Sequence, residues 1–255
     1  MTIEEIRSAC LRVVDLQRNL EQFIAERRSR LLKEIGSSTC LLLMATPLAV
    51  RDESVDTSQD GVRAILKEPP NCRPMSWTVN CSTGGGGDSG LRPTLYGVTI
   101  EIEDYRRLDL FRNGHVEFRA VATSHCFVSP RYTTSPTPEG RWLNPLFLTE
   151  YLHSFLSLVG AIVEEAGISE PVVVSVIVAN ARGLLLYPYR SVDALVSRHP
   201  VPWEDQHLEV PSMLFPYPPQ PGPAAKLIGD RLWNAFGFEN CPVFDEDGNL
   251  RPDRQ

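Results

Sequence analysis

Residues 108–119 have the sequence LDLFRNGHVEFR, in which two β-rich runs flank the dipeptide Asn113-Gly114. This dipeptide accepts the two positive φ angles that a two-residue hairpin turn requires. The sequence therefore predicts a β-hairpin in which residues 108–112 pair with residues 115–119.

Other apolar or alternating runs predict further strands. They cover residues 40–44, which are uniformly apolar and are closed by Pro47, and residues 75–81, 97–102, 172–178 and 184–187. The last two runs are separated by residues 179–183, so they predict a second hairpin.

The N-terminal region, residues 1–36, predicts a helix of about thirty residues. Thr2 and Glu5 have the spacing of a capping box, and Gly36 suits a helix end. The apolar stripe of this helix consists of Ile6, Cys10, Val13, Leu20, Ile24 and Leu31. Gln17 and Arg27 interrupt the stripe, which favours a helix lying across a sheet or a neighbouring domain over a self-sufficient coiled coil.

Three more helices are predicted along the chain. A short helix covers residues 61–67, and a central apolar helix begins at Asn144-Pro145 and ends at Gly167. The last helix begins near Pro223 and ends at Gly237. The expected fold class is α+β: a mixed or antiparallel sheet with hairpins, packed by the long N-terminal helix, the central apolar helix and the C-terminal helix.

The whole chain, residues 1–255, is predicted to be a single domain. Within it we expect a flexible glycine-rich loop at residues 82–92, a proline-rich connector at residues 200–222 and a polar tail at residues 239–255.

The composition excludes some functional classes. The net charge of −7 argues against a surface devoted to nucleic-acid phosphates, and no apolar run reaches the roughly 20 residues that span a bilayer. The start of the chain lacks the pattern of a signal peptide, and six scattered cysteines are expected to be reduced. These features predict a cytoplasmic protein without a membrane partner.

Each motif that suggests catalysis or ligand binding is better explained by a structural role. The glycine run lacks the Lys-Ser/Thr ending of a phosphate loop, and Asp245–Asn249 lacks the first and last ligands of a calcium loop. Adjacent His125 and Cys126 should point to opposite sides, and His153 falls on the central helix. We therefore predict no catalytic residue, no metal ligand and no cofactor.

One compact basic cluster ends the first helix, and it consists of Arg27, Arg28, Arg30 and Lys33. Positive charge at this position complements the helix dipole. Contact with nucleic-acid phosphates is the alternative interpretation.

Three segments resemble the C-terminal accessory region of bacterial Schlafen-like proteins that carry an Alba-type domain and are described as ATP-binding or DNA-binding. They are residues 1–7 with Phe23, Glu26 and Arg27, the hairpin at residues 110–117, and residues 232–237 followed by residues 245–248. The resemblance implies that the nucleic-acid or nucleotide role belongs to the Alba-type domain, which has no counterpart here. It transfers no catalytic residue.

The leading hypothesis is a non-catalytic accessory, sensing or oligomerisation module, in antiviral defence or nucleic-acid processing. Its expected partner is an Alba-type domain, in cis or in trans, or a second copy of the chain. Two alternatives are direct nucleic-acid binding through the basic cluster around Arg28 and an unrecognised hydrolase that uses Cys126 or His125.

Overall fold

The fold is that of a computed structural model. It describes residues 3–50, 53–72, 76–81, 90–102, 105–128, 141–187, 201–216 and 219–251. The predicted cap at Thr2 and the glycine-rich residues 82–89 lie outside the described residues.

The described helices match the predicted ones closely. They are α1 (Ile3–Glu34), α2 (Asp60–Lys67), α3 (Pro145–Glu165) and α4 (Pro221–Ala235), with a short 3₁₀ helix at Ser124–Cys126. Gly36 ends the first helix with a φ of 64°, a left-handed angle that glycine adopts without a steric cost. Asn144 caps α3, since its side chain accepts a hydrogen bond from the backbone N–H of Leu146 at 3.0 Å.

Ten strands form two sheets in the described part of the chain. They are β1 (Cys40–Pro47), β2 (Arg92–Pro93), β3 (Gly97–Ile102), β4 (Arg106–Phe111), β5 (Val116–Val121), β6 (Phe127–Val128), β7 (Arg141–Leu143), β8 (Val172–Ala179), β9 (Leu184–Leu186) and β10 (Leu208–Phe215). The large sheet has the order β10-β8-β1-β5-β4-β3-β2 with antiparallel neighbours, and the small sheet has the order β6-β7-β9. The α+β fold class is confirmed.

The predicted hairpin exists as β4 and β5, but its turn differs from the expected two-residue type. Only Gly114 of the pair has a positive φ, 78°. Its N–H donates to the carbonyl of Phe111 at 3.0 Å, and the N–H of Phe111 donates to the carbonyl of His115 at 2.9 Å. This is a three-residue turn that ends in a left-handed glycine. Asn113 instead uses its side-chain amide to bind the carbonyl of Val50 at 2.7 Å.

The predicted second hairpin is wrong. β8 lies in the large sheet between β10 and β1, whereas β9 pairs in parallel with β7 in the small sheet. The chain turns away between them at Asn180, which has a φ of 53°. The strand predicted at residues 75–81 is also wrong for residues 76–81, which form no strand.

The proline-rich stretch at residues 200–222 contains β10, a strand that the proline content obscured. Within the tail, Cys241, Val243 and Phe244 are buried, and Phe244 forms a β-bridge with Leu250. The described cysteines Cys40, Cys81, Cys126 and Cys241 are free thiols.

The large sheet has a helical layer on each face. Leu41 and Leu43 of β1 face the main core together with side chains of α2, α3 and α4. Among the described helices, α3 alone is long and apolar enough to suit a bilayer, but 72% of its most apolar stretch is buried inside the protein. This burial is that of a core helix. The opposite face, which includes Leu42 and Met44, is covered by α1.

Candidate functional site at the junction of helix α1 and the central hairpin

The face of the sheet under α1 is divided into an apolar and a polar half. On the apolar half, Leu42 of β1 and Ile177 of β8 pack against Leu31 of α1. On the polar half, alternate positions of β3 to β5 carry charged side chains, including Glu117 and Arg119. The polar half therefore lies beside α1, where charged groups of the helix can reach it.

Arg27 joins the helix to the polar half of the sheet. Its Nε and Nη2 donate to the two carboxylate oxygens of Glu117, each at 2.6 Å. The Arg27 side chain is 16% exposed and that of Glu117 is 2% exposed. Such a two-pronged pair in a nearly dry site fixes the rotation of the helix about its axis as well as its position.

His115 extends this pair into a buried chain of polar groups. Its Nε2 donates to Glu117 at 2.8 Å, and its Nδ1 lies 2.9 Å from Oγ1 of Thr46. Phe23 of α1 packs edge-on against the imidazole ring, with ring centres 4.9 Å apart. We call Phe23, Arg27, Thr46, His115 and Glu117 the helix–hairpin junction.

The electrostatics of the junction favour a charged Glu117. Burial would raise the pKa of this carboxyl, but the hydrogen bonds and charges of Arg27 and His115 outweigh burial and lower the pKa to about 2. Nearby Asp109 has a raised pKa, because its burial outweighs its two-pronged pair with Arg107. The carboxylate of Glu117 is thus ionised, and it holds the junction together by accepting hydrogen bonds from Arg27 and His115.

The order hydroxyl, imidazole and carboxylate in the junction resembles that of a nucleophilic triad. A triad acts on a substrate only if its hydroxyl can reach the scissile bond. Thr46 is 1% exposed and His115 is fully buried, so a substrate cannot reach either group. The arrangement fits a structural polar network that fastens α1 to the sheet.

The structure places the four residues of the basic cluster in different surroundings. Arg27 lies in the junction, Arg28 donates to Glu209 of β10, and Arg30 pairs with Glu34 on the same helix at 3.0 Å. Lys33 is exposed. Arg27 and Arg28 therefore hold α1 from opposite sides, toward β5 and toward β10.

The residues considered for a hydrolase do not converge. Cys126 is buried, with a thiol pKa raised by burial and a contact to Thr123 at 3.6 Å, whereas His125 is exposed. His153 on α3 has a pKa lowered by burial. Across the described residues, no group of three His, Cys, Asp or Glu side chains is arranged to hold a metal ion.

Two surface features lie at the same end of the molecule as the hairpin turn. One is a cleft of about 400 Å³ between α1, the turn and the segment before β3, lined among others by Phe23, Tyr96 and Arg112. The other is the N-terminal half of α1, where Val13 and Val14 are 62% and 60% exposed. Neither feature places a reactive side chain in an enclosed cavity.

Sequence reasoning missed Thr46, His115 and Glu117 as members of one site. His115 and Glu117 are two residues apart in an extended segment, which indicates a shared face. Nothing local indicates that Arg27, ninety positions earlier, reaches them. Phe23 and Arg27, from the first segment of the family resemblance, contact His115 and Glu117 of the hairpin segment here.

Scans against protein-family models, curated proteins and solved structures found no match for this chain. The resemblance to Schlafen-like proteins stays a prediction.

Proposed function

We propose that this chain is a non-catalytic accessory module that docks onto another protein through the N-terminal half of α1. The observation that carries the proposal is the exposure of Val13, Val14 and Leu16 on a helix whose C-terminal half is packed on the sheet. Most helical stability in proteins comes from packing of an apolar face, so a partner that covers these exposed residues would stabilise the N-terminal half of α1.

The internal pairing of charges supports the same proposal. The buried carboxylate of Glu117 is used to fix α1, and the cations Arg27 and Arg28 both contact sheet glutamates. A helix fixed in rotation presents its exposed stripe in a constant direction, which suits docking.

The resemblance makes the Alba-type domain of a Schlafen-like, nucleic-acid-associated bacterial protein the first partner to test, in cis or in trans. We further expect the protein to lie in the cytoplasm and to act in antiviral defence. The free thiols support the location.

The proposal is tested by titrating the full chain with a purified Alba-type domain in a calorimeter. Binding should be lost in the double variant Val13→Glu/Leu16→Glu and kept in the matched control Leu227→Glu, which changes a 47% exposed leucine on α4. Equal binding by the double variant would contradict the proposal. So would absence of binding by the wild-type chain to both this domain and itself.

Direct nucleic-acid binding through the basic cluster is the weaker alternative, because three of its four cations already contact glutamates. This alternative predicts salt-dependent binding to nucleic acid. The triple variant Arg28→Gln/Arg30→Gln/Lys33→Gln should remove that binding, and it retains Arg27 so that the fold stays intact. Fluorescence anisotropy with labelled duplexes measures this directly.

A further inference from the structure

We infer that the cleft between α1 and the hairpin turns binds an arginine side chain, which the docking partner supplies. The inference rests on the proposed docking function and specifies the chemistry that the partner must present. The cleft lies between α1, the segment after β1, the β2–β3 turn and the β4–β5 turn, and we call it the turn cleft. Its volume of about 400 Å³ falls within the range of ligand sites.

Three arginines line the turn cleft in the described part of the chain, and two of them already have carboxylate partners. Arg27 donates to both carboxylate oxygens of Glu117, each at 2.6 Å. Arg30 pairs with Glu34 at 3.0 Å. These two pairs neutralise the charge of the helix arginines, so the cleft has little attraction for an anion.

The third arginine, Arg112, also contacts the protein. Its Nη1 donates to the carbonyl of Leu95 at 3.3 Å. Hydrogen bonds from Ser58 and the charge of Arg112 lower the pKa of Asp56, so this guanidinium has an ionised carboxylate in its surroundings. The arginines of the cleft are therefore matched by acids outside it.

Two carboxylates of the turn cleft have no cationic partner among the residues that the structure describes. Glu26 and Glu53 are both exposed, and both line the cleft. Glu26 accepts a hydrogen bond from the neutral side-chain amide of Gln22 at 2.8 Å. Because other acids already match the arginines, Glu26 and Glu53 leave the cleft with surplus negative charge, and its complementary ligand is a cation.

Tyr96 adds an exposed aromatic ring to the same cleft. Its side chain is 61% exposed, and that of Leu95 beside it is 76% exposed. The turn that carries them is fixed, because the N–H of Thr94 donates to the carbonyl of Gly97 and the N–H of Arg112 donates to the carbonyl of Tyr96, each at 2.8 Å. The ring is therefore held in place before a ligand arrives.

The combination of carboxylates and an aromatic ring favours arginine over lysine. A planar guanidinium stacks on a ring face while its edge binds carboxylates, and it is less strongly hydrated than an ammonium group. The cleft already contains one such contact, since the guanidinium of Arg27 lies 4.6 Å from the ring centre of Phe111. A second guanidinium, from the partner, can use the ring of Tyr96 in the same way.

The turn cleft is continuous with the exposed part of α1. Leu16, Phe23 and Arg30 are spaced by one heptad, so they lie on one side of the helix. Phe23 and Arg30 line the cleft, and Leu16 is exposed one heptad, about 10 Å, before Phe23. A partner that covers Leu16 can therefore place a side chain in the cleft.

A heteronuclear NMR titration of the full chain with N-acetyl-arginine amide tests the site. N-acetyl-citrulline amide, a neutral analogue of nearly the same shape, is the control ligand. The arginine compound should shift the backbone resonances of Glu53, Leu95 and Tyr96 with a Kd of the order of 1 mM, and the citrulline compound should not. Equal shifts with both compounds, or arginine-dependent shifts confined to other residues, overturn the inference.

Variants of the cleft test its chemistry. Glu26→Gln/Glu53→Gln should raise the Kd for N-acetyl-arginine amide by about tenfold, and Tyr96→Ala should raise it by about threefold. Glu21→Gln is the matched control and should leave the Kd unchanged. Glu21 accepts from Gln17 at 2.8 Å, as Glu26 does from the residue four positions before it, but it does not line the cleft. An unchanged Kd in the double variant overturns the inference.

The inference and the docking function fail in distinguishable ways. A chain that binds N-acetyl-arginine amide in the turn cleft, but docks with no partner through Val13 and Leu16, retains the site and loses the docking function. A chain that docks through Val13 and Leu16, but whose cleft resonances do not respond to N-acetyl-arginine amide, retains the docking function and loses the arginine site.

Discussion

Glu117 accepts hydrogen bonds from Arg27 and His115 in a site that is almost closed to water. Removing one partner of such a buried pair leaves the other charge without compensation, which costs more than the pair itself contributes. We expect Arg27→Met to lower the free energy of unfolding by about 2–4 kcal/mol in urea denaturation.

The neighbouring Arg28 is the matched control for this variant. Its contact with Glu209 is exposed to solvent, so Arg28→Met should cost about 1 kcal/mol or less. Equal losses in the two variants would show that the junction contributes no more than a surface ion pair.

The lowered pKa of Glu117 predicts the response to acid. Because its folded-state pKa of about 2 is below its usual 4.5, its contribution to stability is complete above pH 4.5 and is lost as the pH falls toward 2. The raised pKa of Asp109 acts in the opposite direction.

The measurement is urea denaturation of wild type and Glu117→Gln between pH 2 and pH 7. The stability difference between the two proteins should shrink by about 3 kcal/mol over the acid range. A constant difference would show that Glu117 titrates alike in the folded and unfolded chains.

At the scale of elements, Asn180 joins two segments that the sequence pattern does not connect. Its side-chain amide donates to the carbonyls of Gly36 and Ser38 at 2.9 and 2.8 Å, and its own carbonyl accepts from Thr39 at 3.1 Å. It thereby binds the end of β8 to the link between α1 and β1.

Two substitutions separate the side-chain and backbone roles of Asn180. Asn180→Ala loses both amide contacts and strains a positive φ, so it should cost about 2–3 kcal/mol. Asn180→Gly loses the contacts but tolerates the angle, so its cost should be about 1 kcal/mol smaller. Thermal unfolding of both variants checks this order, and a more stable alanine variant would contradict it.

Local sequence patterns predicted most individual helices and strands, but they did not predict which strands pair. α1, α3, β1 and β3 follow from periodicity and caps, which act within a few residues. The partner of β9 depends on where the chain turns after Asn180, and that turn is set by tertiary contacts.

At the scale of the whole molecule, charged residues of α1 pair with charged residues of the sheet. The sequence favoured Arg27 as a complement to the helix dipole, with phosphate contact as the alternative, and the fold places a carboxylate from the hairpin against it. Spacing in a single sequence cannot reveal such a contact, because the two residues meet only after the sheet and α1 have packed. The exposed half of α1 follows from the same packing, since the sheet covers only the other half.

Amide hydrogen exchange along α1 of the full chain tests the docking account most directly. We predict that residues 20–34 are protected under all conditions, whereas residues 4–19 exchange rapidly in dilute protein and become protected when the concentration is raised or a partner domain is added. Protection of residues 4–19 that is the same at every concentration, with and without partner, would contradict the account.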